Sequence, residues 1–366
     1  MSVDSVRAAR LTAGVDLRKT DCHPDFWYPI AWSDEVKAGA MVGRVYAGEP
    51  VVVVRGKDGA LFALENRCAH RQVPLTHGVV QGCQVKCGYH GWAYDASGAC
   101  VDVPYLGKER LPNGVRAYPC QEVDGLIFIF PGDPALADER LLPEALGSSA
   151  KGSYKTRQLN RHVDAHYTFM HENLFDMNHQ FLHRKQMGMI KAKCLGKRSG
   201  PDWCEVDYTF SRTEGQGTVG EAAILGVVRK QGEGDNADLM TIRTGYPYQD
   251  LKVWVGSGEP VLHVWLGYTP LDKAQSKNRT FGYLSVKRPK IPGLIDAAWP
   301  FITMFTEQIF KEDKEIVEME QAAHDAQGDD WNNEVFPPIR ELREVLARCG
   351  VPNGTRPDPQ SRIAAE

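Results

Sequence analysis

Short apolar runs separated by turn-forming residues dominate the first third of the chain. The runs are VVVVR (51–55), ALFALEN (60–66) and LIFIF (126–130). Apolar runs of this length, bounded by Gly, Asp and Asn, predict β-strands. The pair Asp58-Gly59 between two runs predicts a tight hairpin, and Ser97-Gly98 predicts another. This part of the chain is therefore expected to be rich in β-structure.

A polar, Pro- and Gly-interrupted segment at 132–150 is predicted to link this part to a second region. The second region opens with an extended stretch and continues into a helix from about Tyr167 to Lys185, which lacks Gly and Pro. Strand-like segments follow at 203–212, 250–256, 261–271 and 279–288. Helical periodicity returns at 305–327 and again in IRELREVLARCG, where Gly350 is expected to end the last helix.

Charge and composition narrow the function classes. The chain of 366 residues has 43 basic and 47 acidic residues, a net charge of −4. This near balance gives no reason to expect nucleic acid or an anionic membrane as a partner. No apolar run of about 18 residues is present, and the N-terminus lacks a secretory apolar stretch, so a cytoplasmic protein is expected. Nine cysteines are an odd number for a disulfide framework, and clustered cysteines in the cytosol are more often metal ligands.

Two Cys-His pairs form the first candidate site. Cys68 and His70 stand in CAH, and Cys87 and His90 stand in CGYH. Two thiolates on one iron and two imidazoles on the other make the Rieske [2Fe–2S] arrangement. A Cys₂His₂ zinc site is the alternative, but zinc sites usually pair like ligands at wider spacing. Chance placement of free thiols and surface histidines is the second alternative.

Asp176, His179 and His183 form the second candidate site. On the predicted helix they have the spacing i, i+3, i+7, which places all three on one face. Two imidazoles and one carboxylate from elsewhere make the facial triad that suits Fe(II) and O₂. The alternative is a polar helix face with unrelated histidines. His162, His166 and His171 are interpreted as structural histidines or as residues that support the ligands from behind.

The third ligand must come from another element. The run FKEDKEIVEMEQ at 310–321 is densely acidic, and composition alone favours a solvated helix face there.

The stretch from Cys68 to Cys100 resembles the Rieske domain of ring-hydroxylating oxygenases, most specifically in YHGWAYDASG. Val73 and Tyr89 stand where respiratory Rieske proteins carry two further cysteines, which favours the oxygenase or ferredoxin branch. The glycines that flank the second pair allow tight loops whose amides can donate to sulfur. His77 and Cys83, which lie between the pairs, are not expected to be ligands.

The second site extends the resemblance. Asn173, Asp176, His179 and His183 match the N-x-x-D-x-x-H-x₃₋₄-H signature of Rieske oxygenase α subunits. Three residues separate the histidines, as in the group similar to carbazole dioxygenase and vanillate demethylase. The run 310–321 resembles the family's F-x-E-D-x-x-I-x-E-x-Q helix, which implies Asp313 as the third iron ligand. Glu312 is its rival and is expected to point to a different face.

The resemblance implies an α+β fold and a set of partners. A β-rich Rieske domain (26–150) would precede a catalytic mononuclear-iron domain (151–366), whose antiparallel sheet is covered by helices and on which 1–25 would pack. The cofactors would be a [2Fe–2S] cluster and Fe(II). No G-x-G-x-x-G fingerprint is found, so a separate reductase, with or without a ferredoxin, would supply electrons.

The family assembles as rings, typically homotrimers, which would give Asp176 an inter-subunit role. It would carry electrons between a Rieske histidine of one chain and an iron ligand of the next, with Asn173 supporting the iron site. The chain would then use O₂ to hydroxylate, dihydroxylate or demethylate a small, aromatic substrate. A Rieske ferredoxin or a zinc-bound module would be the alternatives from other classes.

Overall fold

The computed structural model describes residues 15–106, 114–146, 152–214, 217–226 and 238–355. Contacts divide these residues into two compact units. The smaller unit takes His23–Glu144, Thr269–Gln275 and residues 354–355, and the larger takes the rest of the described chain. The predicted domain boundary at residues 150 and 151 lies outside the described residues and stays a prediction.

The smaller unit is built from three antiparallel sheets, so the prediction of a β-rich region is confirmed. Its strands, sheet by sheet and in spatial order, are Ala117–Tyr118, Leu61–Glu65, Glu49–Arg55 and Ala40–Tyr46; Cys120–Val123, Leu126–Ile129 and Tyr28–Trp32; and Val79–Gln81, Gln84–Lys86, Ala93–Tyr94 and Cys100–Asp102.

Both predicted hairpins are present in this unit. Gly59 has φ +90° and Gly98 has φ +83°, a conformation that glycine adopts without strain. At the first turn the Asp58 carboxylate accepts the amide of Ala60 at 3.1 Å. A Cβ at Gly98 would lie 2.0 Å from the carbonyl oxygen of Val115, so no larger residue fits this turn.

The larger unit contains a seven-stranded antiparallel sheet. In spatial order its strands are Tyr154–Val163, Asn278–Lys287, Leu262–Pro270, Tyr248–Val255, Asp238–Gly245, Trp203–Glu214 and Met189–Ser199. Two of them, Met189–Ser199 and Asp238–Gly245, were not predicted. The first is mostly exposed and therefore lacks the alternation of apolar and polar residues on which strand prediction depends. A short pair, Thr20–Asp21 with Val351–Pro352, joins the two ends of the described chain.

Five α-helices accompany this sheet in the described residues: α1 (Tyr167–Phe175), α2 (Arg184–Met187), α3 (Val219–Leu225), α4 (Leu294–Gln327) and α5 (Pro337–Cys349). Helix α4 begins earlier than predicted and continues through Pro300, but it ends at the predicted residue. Helix α5 ends before Gly350, as expected. None of the helices in these ranges is long and apolar enough to cross a membrane.

The continuous helix predicted from Tyr167 to Lys185 is wrong. Helix α1 stops at Phe175, because Asp176 takes an extended conformation with φ −93° and ψ 95°. The Asp176 side chain then accepts the amide of Asn178 at 2.8 Å and starts a 3₁₀ helix, Met177–Phe181. An Asp that bonds the backbone in this way competes with helix continuation, although the segment holds neither Gly nor Pro. His179 and His183 therefore do not share the face of one helix.

Candidate metal centres

The two Cys-His pairs lie on neighbouring loops of the smaller unit. Cys87 and His90 follow the strand Gln84–Lys86, and the rings of His70 and His90 are 4.6 Å apart between centroids. Cys68 and Cys87 belong to the apolar core and are 2% and 4% exposed, whereas His70 and His90 are half-buried. The loops thus offer two sulfur ligands on the core side and two imidazoles nearer the surface.

Hydrogen bonds surround both thiols. The Tyr94 hydroxyl lies 3.1 Å from Cys68 Sγ and accepts the amide of Ala69 at 3.0 Å. Burial raises the pKa of the Cys87 thiol, and two backbone amides of its own loop, which donate to the sulfur, oppose that effect. Donors of this kind stabilise a metal-bound thiolate and tune the potential of an iron–sulfur cluster.

Two glycines allow the loops to approach each other. A Cβ on Gly88 would lie 2.3 Å from the carbonyl oxygen of His77, and Gly91 has φ +74°. The backbone of His77 thus packs against the second loop, in keeping with a structural role for this residue.

The donor set fits a Rieske cluster. His70 Nδ1 is buried and has no hydrogen-bond partner in the described structure, so this ring nitrogen is free to bind a metal. The His70 ring is held by stacking on Trp92, with centroids 4.6 Å apart and planes inclined by 4°. Cys83, by contrast, is exposed, and its thiol donates to Asp58 Oδ2 at 3.1 Å.

The larger unit brings together the three residues predicted to bind iron. His179 lies in the 3₁₀ helix, His183 lies directly before α2, and Asp313 lies within α4. One potential ligand atom from each lies within 4.8 Å of the others. Asp313 Oδ1 is 3.1 Å from His183 Nε2 and 3.7 Å from His179 Nε2. Three residues that are distant in sequence therefore present converging donor atoms.

Glu312 was expected to point to a different face from Asp313, and that expectation is wrong. Its Oε2 lies 2.9 Å from Nδ1 of His183, while Asp313 approaches Nε2 of the same ring. Neighbouring helix residues do diverge, but an imidazole has two nitrogens on opposite edges, so both carboxylates reach it. A carboxylate on the far nitrogen orients a metal-binding histidine and makes it more basic.

The two histidines differ in their electrostatics. Burial lowers the pKa of His179, and the nearby Asp313 carboxylate does not fully offset this. Burial would also lower the pKa of His183, but the carboxylates of Asp313 and Glu312 outweigh it and raise the pKa.

The residues fit a mononuclear metal. Asp313 Oδ1 is buried and accepts no hydrogen bond from the described residues. Two imidazoles and a carboxylate that converge on one point make the facial set used by non-haem Fe(II) oxygenases.

The neighbouring histidines lie outside this triad. His162 lies on the strand Tyr154–Val163, and His166 caps α1 with Nδ1 2.8 Å from Thr168 Oγ1. His171 is fully buried, with its ring 4.9 Å from that of Tyr268, and burial lowers its pKa to about 3.

Asn173 and Asp176 lie a few residues before His179 in the sequence. Asp176 Oδ1 accepts both the amide and the side-chain nitrogen of Asn178, at 2.8 and 2.7 Å. Asn173 lines the same cavity as the triad.

A cavity of about 200 Å³ adjoins the triad. Strands of the sheet contribute Leu251, Val253, Leu262 and Val264 to its wall, and α4 contributes Phe305 and other apolar side chains. The cavity can therefore enclose an organic molecule beside the three metal-binding side chains and exclude water from it.

Several residues of these sites were not identified from the sequence. Tyr94 lies in the recognised YHGWAY motif, but the motif does not reveal that its hydroxyl reaches Cys68. Arg212 and Glu221, which face the cavity as an ion pair, carry no local signal, because one lies on a strand and the other on α3.

Comparisons with known proteins agree with the geometry of both units. A Rieske [2Fe-2S] domain model matches residues 26–119, and a vanillate O-demethylase oxygenase C-terminal domain model matches residues 163–338. The chain is 28% identical over 334 residues to the 4beta-methylsterol monooxygenase of Methylococcus capsulatus, covering 88% of this chain and 86% of that one.

Two further comparisons concern proteins whose names refer to dicamba. The oxygenase component of dicamba O-demethylase from Stenotrophomonas maltophilia is 37% identical over 160 residues, which span 43% of this chain and 47% of that one. The crystal structure of dicamba monooxygenase bound to dicamba matches with a TM-score of 0.69 and 24% identity, covering 91% of this chain and 96% of that one. At this identity the structural match establishes the fold.

The chain thus has a Rieske domain followed by an oxygenase C-terminal domain. These two domains identify the chain as a terminal oxygenase of the Rieske non-haem iron oxygenases, similar to the vanillate O-demethylase oxygenase. The cofactors of this family are the [2Fe–2S] cluster and a mononuclear iron, and its members work with a separate reductase or ferredoxin. A ferredoxin alone would not account for the second domain.

Proposed function

We propose that His179, His183 and Asp313 bind the mononuclear iron, and that Cys68, His70, Cys87 and His90 hold the [2Fe–2S] cluster. On this basis the chain takes electrons from a reductase, directly or through a ferredoxin. It uses O₂ to hydroxylate, dihydroxylate or demethylate a small organic substrate of the aromatic type that its relatives' names indicate. The observation that carries the proposal is the convergence of three donor atoms beside an apolar cavity.

The iron, when bound, supplies the activation of O₂ that no protein side chain can provide. The chain's own residues do the rest. Glu312 holds the His183 ring by its far nitrogen, so that Nε2 stays directed at the ligand position. The apolar wall desolvates the substrate and orients it toward the triad.

Asp176 is proposed to carry electrons between subunits. Its two bonds to Asn178 both use Oδ1, and these fix the carboxylate without using Oδ2. Asp176 lines a surface recess with Glu172, Glu320 and Arg184, in which Glu172 is paired with Arg18 and Arg343. The proposed contact places a Rieske histidine of one chain at Oδ2 of Asp176 of the next.

This docking requires a ring, and a homotrimer is proposed. Light scattering of the purified protein should give three times the chain mass of 40.8 kDa. A monomer would remove the basis for the inter-subunit role of Asp176. The division into domains at 26–150 and 151–366, the packing of 1–25 on the second domain, and a cytoplasmic location belong to the same proposal.

The metal assignment is tested by iron and sulfide analysis of protein purified without oxygen. About three irons and about two sulfides per chain are expected, with a Rieske-type electron paramagnetic resonance signal after reduction. Two irons per chain with that signal would support the cluster assignment and contradict the mononuclear iron site. Zinc without sulfide would contradict the whole proposal.

The role of Asp176 is tested by Asp176→Asn. Both metals should remain bound, while turnover supported by the reductase falls by about 100-fold or more, since electron transfer to the iron is interrupted. Asp164→Asn, at a side chain that is 71% exposed, is the matched control and should be silent. Undiminished turnover in Asp176→Asn would exclude the bridging role.

A further inference from the structure

The wall of the cavity beside the triad is mainly apolar. Of its described lining residues, most are Leu, Ile, Val, Met and Phe, supplied by the sheet, α3 and α4. Arg212 is the one Lys or Arg among them. Whether this cation can bind an anionic substrate therefore decides what the cavity accepts.

Both terminal nitrogens of the Arg212 guanidinium are already engaged, while its Nε is buried and has no hydrogen-bond partner among the described residues. Nη2 donates to Glu221 Oε2 at 2.5 Å, and Nη1 donates to the carbonyl oxygen of Met187 at 2.6 Å. The two side chains are 3% and 8% exposed. An ion pair this deeply buried is short of solvent screening, so the carboxylate of Glu221 offsets the cation at close range.

Glu221 is held firmly in this position. It lies in the first turn of α3, and its amide donates to Oγ1 of Thr218, the residue that caps the helix. The adjacent Gly220 packs on α4 so closely that a Cβ would lie 2.5 Å from the ring of Phe305. The cap and the packing of α3 on α4 thus hold in place the backbone that carries this carboxylate.

The other charged residues of the described wall are acidic. They are Asp238 and Asp313. Among the described wall residues, no Lys or Arg other than the paired Arg212 is available to an anion. A carboxylate entering this cavity would lose its hydration and find no free cationic side chain of the described wall to pair with.

We propose that the cavity selects a neutral, mainly apolar substrate, and that Glu221 determines this selectivity by neutralising Arg212. The inference names the substrate class of the proposed oxygenase and rests on that function. It makes Glu221 a specificity-determining residue that acts through Arg212.

The test compares binding of an ester and its own acid, which differ in charge but little in shape. Methyl 6-methoxy-2-naphthoate and 6-methoxy-2-naphthoate form one such pair, within a panel of ester-acid pairs from one to four fused rings. Binding to the iron-loaded protein is measured by equilibrium dialysis without oxygen. For the pairs that fit, the ester is expected to bind at least about 10-fold more tightly than the acid.

Glu221→Gln releases the charge of Arg212 and should reduce or reverse this ester-to-acid ratio by about 10-fold or more. Glu214→Gln, at the exposed end of the strand that carries Arg212, is the matched control and should keep the ratio of the natural protein. The double variant Arg212→Gln/Glu221→Gln removes both charges and should also prefer the ester. This control distinguishes an effect of charge from disruption of the cavity by the substitution at Glu221.

Acids that bind the natural protein as tightly as their esters, or a panel in which no ester binds, would overturn the proposal. Dialysis measures binding without turnover, and iron analysis reports on the metal site separately. A protein that prefers esters but lacks the mononuclear iron would therefore contradict the oxygenase proposal and leave the selectivity of the cavity standing.

Discussion

The cluster site and the iron site use similar ligands but assemble them in opposite ways. All four candidate cluster ligands lie within residues 68–90, on two loops of the smaller unit. The iron triad joins His179 and His183 to Asp313, which lies far along the chain on α4. The first site depends on local turns, whereas the second depends on the packing of a long helix against the rest of its unit.

This difference determines how each site should respond to change. The cluster loops are held by glycines and by hydrogen bonds to sulfur from nearby residues. The triad is held by side chains that meet across the unit, including Glu312 behind His183. Perturbing one site should therefore spare the other.

The largest effect is expected from Asp313→Asn. Loss of the only carboxylate of the triad should remove the mononuclear iron and lower turnover by about 1000-fold or more, while the cluster signal stays intact. Iron analysis with electron paramagnetic resonance measures both centres together. Asp325→Asn on the same helix, at a side chain 62% exposed, is the control. Loss of the cluster signal in Asp313→Asn would show that the sites are not independent.

Glu312→Gln should have the next largest effect. The amide keeps the size of the side chain but removes the negative charge beside His183, so iron affinity should fall by about 10–100-fold. Competition with a chelator of known affinity measures it. Glu315→Gln, on the exposed side of α4, should leave the affinity unchanged. An unchanged affinity in Glu312→Gln would mean that the contact does not support metal binding.

His171→Phe should change the pH dependence of stability. The pKa of His171 is about 3 in the folded state, against about 6.5 when unfolded, so the unfolded chain takes up the proton first. The contribution of neutral, buried His171 to the free energy of unfolding is fully present above pH 6.5. It is lost as pH falls toward 3, and the loss is about 1.4 kcal/mol at pH 5.5.

The melting temperature of His171→Phe should therefore differ less between pH 5.5 and pH 7.5 than the melting temperature of the natural protein does. His77→Phe, at an exposed histidine of the cluster-bearing unit, should retain the natural difference. A pH dependence that is the same in all three proteins would mean that His171 is not the group that titrates on unfolding.

The smallest effect is expected from Tyr94→Phe. Once Cys68 is a thiolate, the Tyr94 hydroxyl must be the donor of their 3.1 Å contact, and it stabilises the reduced cluster. Removing a hydrogen bond worth about 1 kcal/mol should lower the reduction potential by about 40 mV. Potentiometric titration measures this shift, and the iron content should not change. A potential that does not fall would exclude a role for this bond.

The features predicted best from the sequence are those whose residues lie close together along the chain. The Cys-His pairs stand in a short motif, and the hairpins at Gly59 and Gly98 followed from turn residues. Asp313 required a family resemblance, because the acidic run around it gives no local reason to prefer one carboxylate.

Contacts between distant elements were beyond such reasoning. The direction of Glu312 depends on which edge of His183 faces α4, and sequence spacing does not encode that. The ion pair of Arg212 with Glu221 depends on the packing of α3, again a tertiary effect. The break at Asp176 was missed because an Asp side chain, and neither Gly nor Pro, ends α1.

That break has a consequence for how such sites tolerate insertions. In one continuous α-helix, each residue added between two histidines would rotate the second by about 100° away from the metal. Here His179 lies in a 3₁₀ turn and His183 precedes a new helix, so the intervening backbone is not tied to one helical repeat. An added residue in that junction would therefore not have to turn the second imidazole to the opposite side of a helix, which is consistent with the spacing of three or four residues in the signature that this segment resembles.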